Sequence, residues 1–517
     1  MIDKSLVLKP LAWARENVWV MAVVILLGVV VPGVLDYLLI VSPFVLLNSL
    51  RYVVLLGVLM LGFQFVVKDA PWYVRLVMSM VLGQVILNYG FTNMVIGAGS
   101  AKVTLAEAGV LLGLAVLVPK TIRVLKSVPL FWVCMAALII PPAIHLVPGV
   151  QKYGMAAMRD VLSVVDLIYL LAGLTVATFG LLNKKWLAWR NRFLMMWIVG
   201  ASLYGLLYPI SPYLLTVSPG FQSYQQTIPV FGNMLTAPIN AMAAVAAWYA
   251  LPQAYPQRAW LRIPLGVAVM VGTMASVALA QSRNMYAFVL LMPVMLGFFG
   301  FRKAFTATVV GIVLLIASLG VLEAFNVKIP GRISDVTLSA IVDRFMSVSG
   351  KHGDDSGAHG VNQRMDWWAS SLDKWSASPE TVVFGVGYGQ ALTNFFSPGG
   401  DNNEGVAVRE PHNSYVSSVS RGGLVYLALW LYLVFTPLIM AIKGGRMAAS
   451  DPQANGGYRG VAVWSSLLMM MLAMSALSEP VFETPSFAAM YYFVAGIAVV
   501  EYLAVSGRLP LQQGARA

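Results

Sequence analysis

The sequence predicts an all-α, polytopic integral membrane protein. Two observations carry that reading. Of 517 residues 59% are hydrophobic and only 11% charged, with a mean hydropathy of +0.77 that no soluble domain shows. Apolar runs long enough to span a bilayer as a helix also recur from Val18 nearly to the C-terminus, without the alternation of a barrel strand. The single cysteine, Cys134, lies inside one such run, so neither a disulfide framework nor a thiolate metal cage can form within one chain. Chemistry falls to oxygen and nitrogen groups.

Read in chain order, the apolar runs give about 14 spans (12–14), near residues 18–40, 51–67, 74–97, 103–119, 128–147, 160–180, 193–217, 234–250, 263–281, 284–300, 304–322, 424–442, 460–478 and 486–505. They divide the chain into an N-terminal transmembrane bundle (1–262), a second group of helices (263–322), one long polar connection (323–413) and C-terminal helices (414–517). Lys4, Lys9 and Arg15 precede the first run and no small-residue cleavage site follows it, so it is expected to remain as a signal anchor.

Charge sets the orientation. With the N-terminus cytoplasmic, 21 of the 34 Lys and Arg residues fall on inner segments, opposed there only by Asp3, Glu16, Asp69 and Asp451. The short outer connections hold five: Arg51, Lys102, Lys152, Arg159 and Arg283. This asymmetry satisfies the positive-inside rule and places both termini in the cytoplasm. It also accounts for the net charge of +12 without a nucleic-acid partner.

Residues 323–413 then lie outside, with three of the four histidines and eleven of the 22 acids. A connection of that length is usually functional or disordered, so chemistry is sought here. Ionisable residues inside spans are costly in a bilayer and point to function. Asp36, Arg51, Glu107, Arg159, Asp160, Asp166 and Arg283 all fall toward the outer halves of their spans, and Glu501 toward an inner half. That distribution suggests a polar cavity opening outward.

Several short segments carry candidate chemistry. Arg283, in Gln281-Ser282-Arg283-Asn284 between two apolar runs, presents a planar charged fork suited to phosphate, and an outer-face arginine works against the topology rule. From Arg364 to Trp375 the spacing predicts a helix with Arg364, Met365, Trp367, Trp368, Leu372 and Trp375 on one face and Asp366 and Asp373 opposite. This is the pattern of an interfacial helix whose tryptophans anchor at headgroup level and hold Arg364 toward the membrane. Phe384-Gly-Val-Gly-Tyr-Gly389 has no βαβ surroundings, so close backbone packing is expected of it and not dinucleotide binding.

In Pro411-His412-Asn413-Ser414-Tyr415 the histidine is expected in the first turn of the next helix, sharing a face with Val416, Val419 and Gly423, with Arg421 on the far side. His352, Asp354, Asp355 and His359 could in principle hold a metal, but their Gly- and Ser-rich context argues for a mobile excursion. The turn Ser478-Glu479-Pro480-Val481-Phe482-Glu483 is a small acidic outer loop that could touch a sugar acceptor.

In order and type these segments resemble the O-antigen ligase and O-antigen polymerase superfamily of bacterial envelope glycan assembly. The resemblance rests on Gln281-Ser282-Arg283, Arg364 opening a Trp-bearing helix, the 384–389 glycine turn, Pro411–Tyr415 and Arg421-Gly-Gly423, and covers about residues 265–440. One departure is Tyr426, where the family often has a second glycine, which bears on the packing of that helix. The resemblance implies a fold like the class C glycosyltransferases, in the bacterial inner membrane with the site facing the periplasm. It implies catalysis with neither cofactor nor metal, an undecaprenyl-diphosphate-linked glycan as donor, and a glycan or lipid A-core as acceptor, with a chain-length regulator as a further partner.

On that basis Arg283 and Arg364 are expected to bind the diphosphate and His412 to act as general base or acceptor positioner, with Asn413, Tyr415 and Trp368 as further substrate-binding candidates. Polymerase, in O-antigen, capsule or exopolysaccharide assembly, is the first expectation. Ligation to lipid A-core is the alternative and transport of lipid-linked sugar the second alternative. The motifs are common to polymerase and ligase.

Overall fold

The computed structural model describes residues 69–510 apart from 87, 93–94, 97–102, 208–219, 224–225, 230–235, 252–258, 330, 332–333, 347–354, 398–405 and 451–457. The predicted spans 18–40 and 51–67 lie outside the described residues. Helices build the rest: α1 (Trp72–Ile86), α2 (Leu105–Leu125), α3 (Pro129–Tyr153), α4 (Met155–Val165), α5 (Ile168–Leu182), α6 (Trp186–Leu207), α7 (Thr236–Ala250) and α8 (Ala259–Ala280). They continue with α9 (Arg283–Phe298), α10 (Arg302–Ala324), α11 (Leu338–Met346), α12 (Asp355–Ser376), α13 (Pro379–Phe384), α14 (Ser414–Ser450), α15 (Tyr458–Ser475) and α16 (Pro485–Val505). Among the described residues, strands are confined to three short antiparallel pairs.

Each other predicted span overlaps these helices where it is described: 160–180 crosses both α4 and α5, and parts of 74–97, 193–217 and 234–250 lie outside the described residues. Among the described residues seven helical segments are long and apolar enough to cross a membrane: α2, α3, α4 with α5, α8, α10, α14 to Met447, and α16. α1, α9 and the middle of α7 are apolar but shorter. An all-α polytopic membrane protein fits these helices.

Their burial differs by position. In the apolar stretches of α4 with α5 and of α16, 83% of residues are buried, in that of α10 only 17%. Val310, Val313, Leu314 and Ile316 on α10 are exposed, a face that would be an aggregation hazard in water and is an ordinary lipid-facing surface in a bilayer. Where α5 crosses α16, a Cβ at Gly173 would come within 2.2 Å of the Phe493 carbonyl oxygen. One at Gly496 would come within 2.6 Å of that of Leu170. Only glycines let the two backbones touch, which is how helices gain packing where hydrophobicity gives no drive to associate.

Aromatic rings fill the centre, among them Trp197 against Trp464 at 5.1 Å and Phe482 against Trp430, also at 5.1 Å. Glu501 is buried and paired, accepting from Arg190 at 2.9 Å and from the Trp186 indole at 2.8 Å.

The 323–413 connection is folded wherever it is described. Glu323 at the end of α10 accepts from the backbone N–H groups of Leu338 (2.9 Å) and Ser339 (3.2 Å), so it caps α11. α13 begins with a capping box in which Ser378 and Thr381 satisfy each other's backbone donors, with Pro379 at the first helical position. α14 is interrupted at Gly423 (φ 65°, ψ −169°). Tyr426 is accommodated there because its neighbour is Gly422, where a Cβ would meet the tyrosine's own Cβ at 2.3 Å.

Candidate functional site

Gln281 leaves α8 with a positive φ of 47°, breaking the helix before α9 resumes at Arg283. Its side-chain amide donates to the Ser334 carbonyl at 2.9 Å and accepts from the Ser334 N–H at 3.1 Å, which pins the start of the polar connection onto the junction. Arg283 is half-buried at the first turn of α9. The next residue, Asn284, donates to the Ser478 hydroxyl at 2.6 Å and so ties this helix start to the turn between α15 and α16.

That turn carries Glu479, on which two of the predicted site residues converge. Arg364 donates to Glu479 Oε1 at 3.0 Å from α12, and His412 Nδ1 lies 3.9 Å from Glu479 Oε2. The imidazole packs against the Trp367 ring at 5.1 Å, and its Nδ1 is buried without a hydrogen-bond partner. Two elements and a turn far apart in sequence therefore meet at one carboxylate.

The structure corrects two expectations here. His412 is not in the first turn of the helix: α14 begins at Ser414, and His412 has a left-handed φ of 52°. That conformation is uncommon for a residue with a Cβ and costs on the order of 1–3 kcal/mol. Helical spacing with Val416 and Val419 therefore does not govern where the ring points. Asn413 supplies the reason, because its Oδ1 accepts from the N–H groups of Tyr415 (3.0 Å) and Val416 (3.1 Å), making it the cap that starts α14.

The second correction concerns α12. Asp366 and Asp373 are exposed as predicted, but Met365, expected on the opposite face, is exposed as well, and the tryptophans pack on protein. Trp368 donates its indole N–H to the Pro411 carbonyl at 2.9 Å and Trp375 to that of Val382 at 3.1 Å, while Trp367 covers His412. Tyr415 is also engaged, donating to the Ala473 carbonyl at 3.0 Å.

Arg421 belongs to a neighbouring hub. It is buried, pairing with Asp160 at 3.0 Å and with Glu410. Asp160 also accepts from Arg409 (3.0 Å) and from the Gly389 N–H (2.9 Å), so this carboxylate holds the glycine turn in place. The turn bonds along its backbone to the α14 break, Val386 N–H to Ser420 O at 2.8 Å and Gly387 N–H to Arg421 O at 3.0 Å. A Cβ on Gly385 would lie 2.2 Å from the Arg421 carbonyl oxygen, so close backbone packing is the reason for these glycines.

Two spaces flank the site. One turn along α9 from Arg283, an apolar groove of about 280 Å³ runs between α8, α9, α10 and α11, lined by Val277, Tyr286, Leu290, Leu319 and Leu338 among others. Near Glu483 a cavity of about 20 Å³, room for one water, is bounded by Tyr388, Ser417, Arg421 and Tyr426. Glu483 itself accepts from Ser414, and enclosure together with the nearby Glu410 charge pushes its carboxyl up to about 7. The described residues include no group of three or more His, Cys, Asp or Glu able to hold a metal ion. His352 and Asp354, and the side chains of Asp355 and His359, lie outside the described residues.

Residues 265–431 match the family model of O-antigen ligase, which supports an O-antigen ligase- or polymerase-type function and bears out the resemblance over that segment. No curated protein matches the chain.

Proposed function

From an O-antigen ligase segment at 265–431, we propose that the chain is an inner-membrane glycosyltransferase of class C type that moves glycan from an undecaprenyl-diphosphate carrier at the periplasmic face. The observation that carries this reading is the meeting of Arg364 and His412 at Glu479, with the Arg283 helix start bonded to the same turn through Asn284 and Ser478. The apolar groove one turn from Arg283 supports it, since a polyprenyl chain needs an apolar bed beside the groups that hold its diphosphate.

In this reading the donor is already activated, and its diphosphate leaves once the developing charge is neutralised. Arg283 and Arg364 supply that neutralisation with planar, fixed-charge donors in a site of low dielectric. His412 accepts the acceptor hydroxyl proton as the new bond forms, and attack opposite the leaving group inverts the anomeric centre. Asn413, Tyr415 and Trp368 serve by fixing the backbone around His412, since each has a polar atom engaged with protein.

The acceptor is a second lipid-linked glycan in the polymerase reading, which the chain's length and many helices favour. In the ligase reading, which shares its name with the matched family, the acceptor is lipid A-core. Deletion of the gene separates them: single repeats still attached to the final acceptor mean polymerase, and accumulated lipid-linked polymer means ligase.

The chemistry is tested with purified variants in nanodiscs. Arg283→Lys and Arg364→Lys keep charge but lose the fork, so binding of undecaprenyl diphosphate and transfer should both weaken. His412→Ala should bind the donor and lose transfer by about 10²- to 10⁴-fold. Normal transfer by His412→Ala, or donor binding lost there and kept in both arginine variants, would reverse the roles.

A further inference from the structure

We propose that Glu479 is a positioning residue that exchanges partners when donor binds: held by Arg364 in the empty site, it turns to His412 once a diphosphate occupies the arginine. The inference rests on the glycosyl-transfer reading above and assigns a role to a residue outside the matched segment.

The geometry gives one carboxylate two claimants. Oε1 is bonded to Arg364 at 3.0 Å and Oε2 stands 3.9 Å from His412 Nδ1, too long for a hydrogen bond and close enough to become one by a small side-chain rotation. Nδ1 is buried with no other hydrogen-bond partner, an arrangement that leaves a polar atom waiting for one. Trp367 packs on the imidazole and limits its rotation, so the carboxylate is the freer member of the pair.

The other charged groups around His412 are engaged elsewhere. Glu410, two residues away, accepts from Arg421 and from Ser417 (2.9 Å), Arg409 is held by Asp160, and Glu483 accepts from Ser414. From α9 the approach is through Asn284 on Ser478, with Arg283 one residue before it. Glu479 is the carboxylate left to answer both the arginine and the imidazole.

The consequence follows from competition. A diphosphate carries more negative charge than a carboxylate and draws the Arg364 fork to itself. Glu479, released, accepts a hydrogen bond from Nδ1–H, which fixes the neutral tautomer with Nε2 bare. As the acceptor oxygen bonds to the anomeric carbon, its proton passes to Nε2 and the carbon–oxygen bond to diphosphate breaks, the electron pair leaving with the diphosphate on the arginines. The imidazolium that results is stabilised by Glu479. The carboxylate thus reaches the imidazole only in the donor-loaded site.

The test compares Glu479→Gln and Glu479→Asp with the unaltered chain in nanodiscs. Undecaprenyl diphosphate is the binding probe, and lipid-linked glycan extracted from the deletion strain is the transfer substrate. Glu479→Gln should bind undecaprenyl diphosphate as tightly as the unaltered chain or more so, because a competitor for Arg364 is gone. Its transfer should fall about 10- to 100-fold, with the acidic limb of the pH–rate profile moving about one pH unit lower. Glu479→Asp should keep the position of that limb and recover part of the rate, and thermal unfolding of both variants confirms that they are folded.

Transfer by Glu479→Gln at the ordinary rate with an unmoved limb overturns the proposal, and so does a parallel loss of donor binding and transfer. Failure of the unaltered chain to bind undecaprenyl diphosphate would instead strike at the glycosyl-transfer reading itself.

Discussion

Glu483 sits in the turn between α15 and α16 with its carboxyl directed inward onto Ser414 and its titration pushed up to about 7. The folded-state value lies above the unfolded one of about 4.5, so between those values folding retains a proton that the unfolded chain releases. Stability should therefore fall as pH rises from about 4.5 to 7 and stay low above, by on the order of 2–4 kcal/mol. Glu483→Gln should flatten that slope and raise the unfolding temperature above pH 7, as detergent-phase thermal scans would register. Arg283 and Arg364 lead to a second expectation: if two guanidinium groups do the work of a cation, transfer survives excess EDTA. Full loss that Mn²⁺ or Mg²⁺ restores would put His352, Asp354, Asp355 and His359 back in consideration. His412 was legible in the sequence as a residue type beside a helix start, but its surroundings were not. A left-handed backbone and a partner 67 residues away, Glu479, are set by tertiary packing and leave no local periodicity to read.

The glycine turn and the α14 break act as one element. Gly385 and Gly423 face each other's backbones, with a Cβ on Gly423 falling 2.3 Å from the Val383 carbonyl oxygen, and both have positive φ. Gly423→Ala should cost the strain of its conformation, about 1–3 kcal/mol, and a comparable amount for the clash. Gly154, also at positive φ but with nothing within 4 Å, should show the strain alone when changed to Ala. Equal losses of thermal stability in the two variants would mean that the backbone crossing contributes little. The sequence signalled close packing here through its glycine spacing, and its 3.6-residue period signalled the packed face of α12 except at Met365, which is exposed. It did not say what α12 packs against, because a Trp-rich stripe suits a headgroup layer and a protein surface equally, and only the acceptors at Pro411 and Val382 distinguish them.

For the whole molecule, each described segment long and apolar enough to cross a membrane overlaps a span read from hydropathy, since bilayer thickness and the need to satisfy backbone groups internally leave few solutions, but the ends differ by as much as ten residues, at Ser414 of α14. Sidedness rests on charge and is open to a direct test. Cysteines at Asp373 and Lys185, both exposed, should separate in intact spheroplasts: the first labelled by an impermeant thiol reagent, the second only after lysis. Cys134 is fully buried and should stay silent. The reverse pattern would invert the topology. One further result follows from the Ser478–Glu479 contacts, for anyone building hybrids of this chain. The homologous segment stops at residue 431, yet the groups that meet Asn284, Arg364 and His412 from the other side lie at 478 and 479. A graft cut at the segment's own edge would marry one parent's arginines and histidine to another parent's acidic turn, and a mismatched hybrid would misreport specificity. Crossover points belong beyond Thr484, where α16 begins and both halves of the contact travel together.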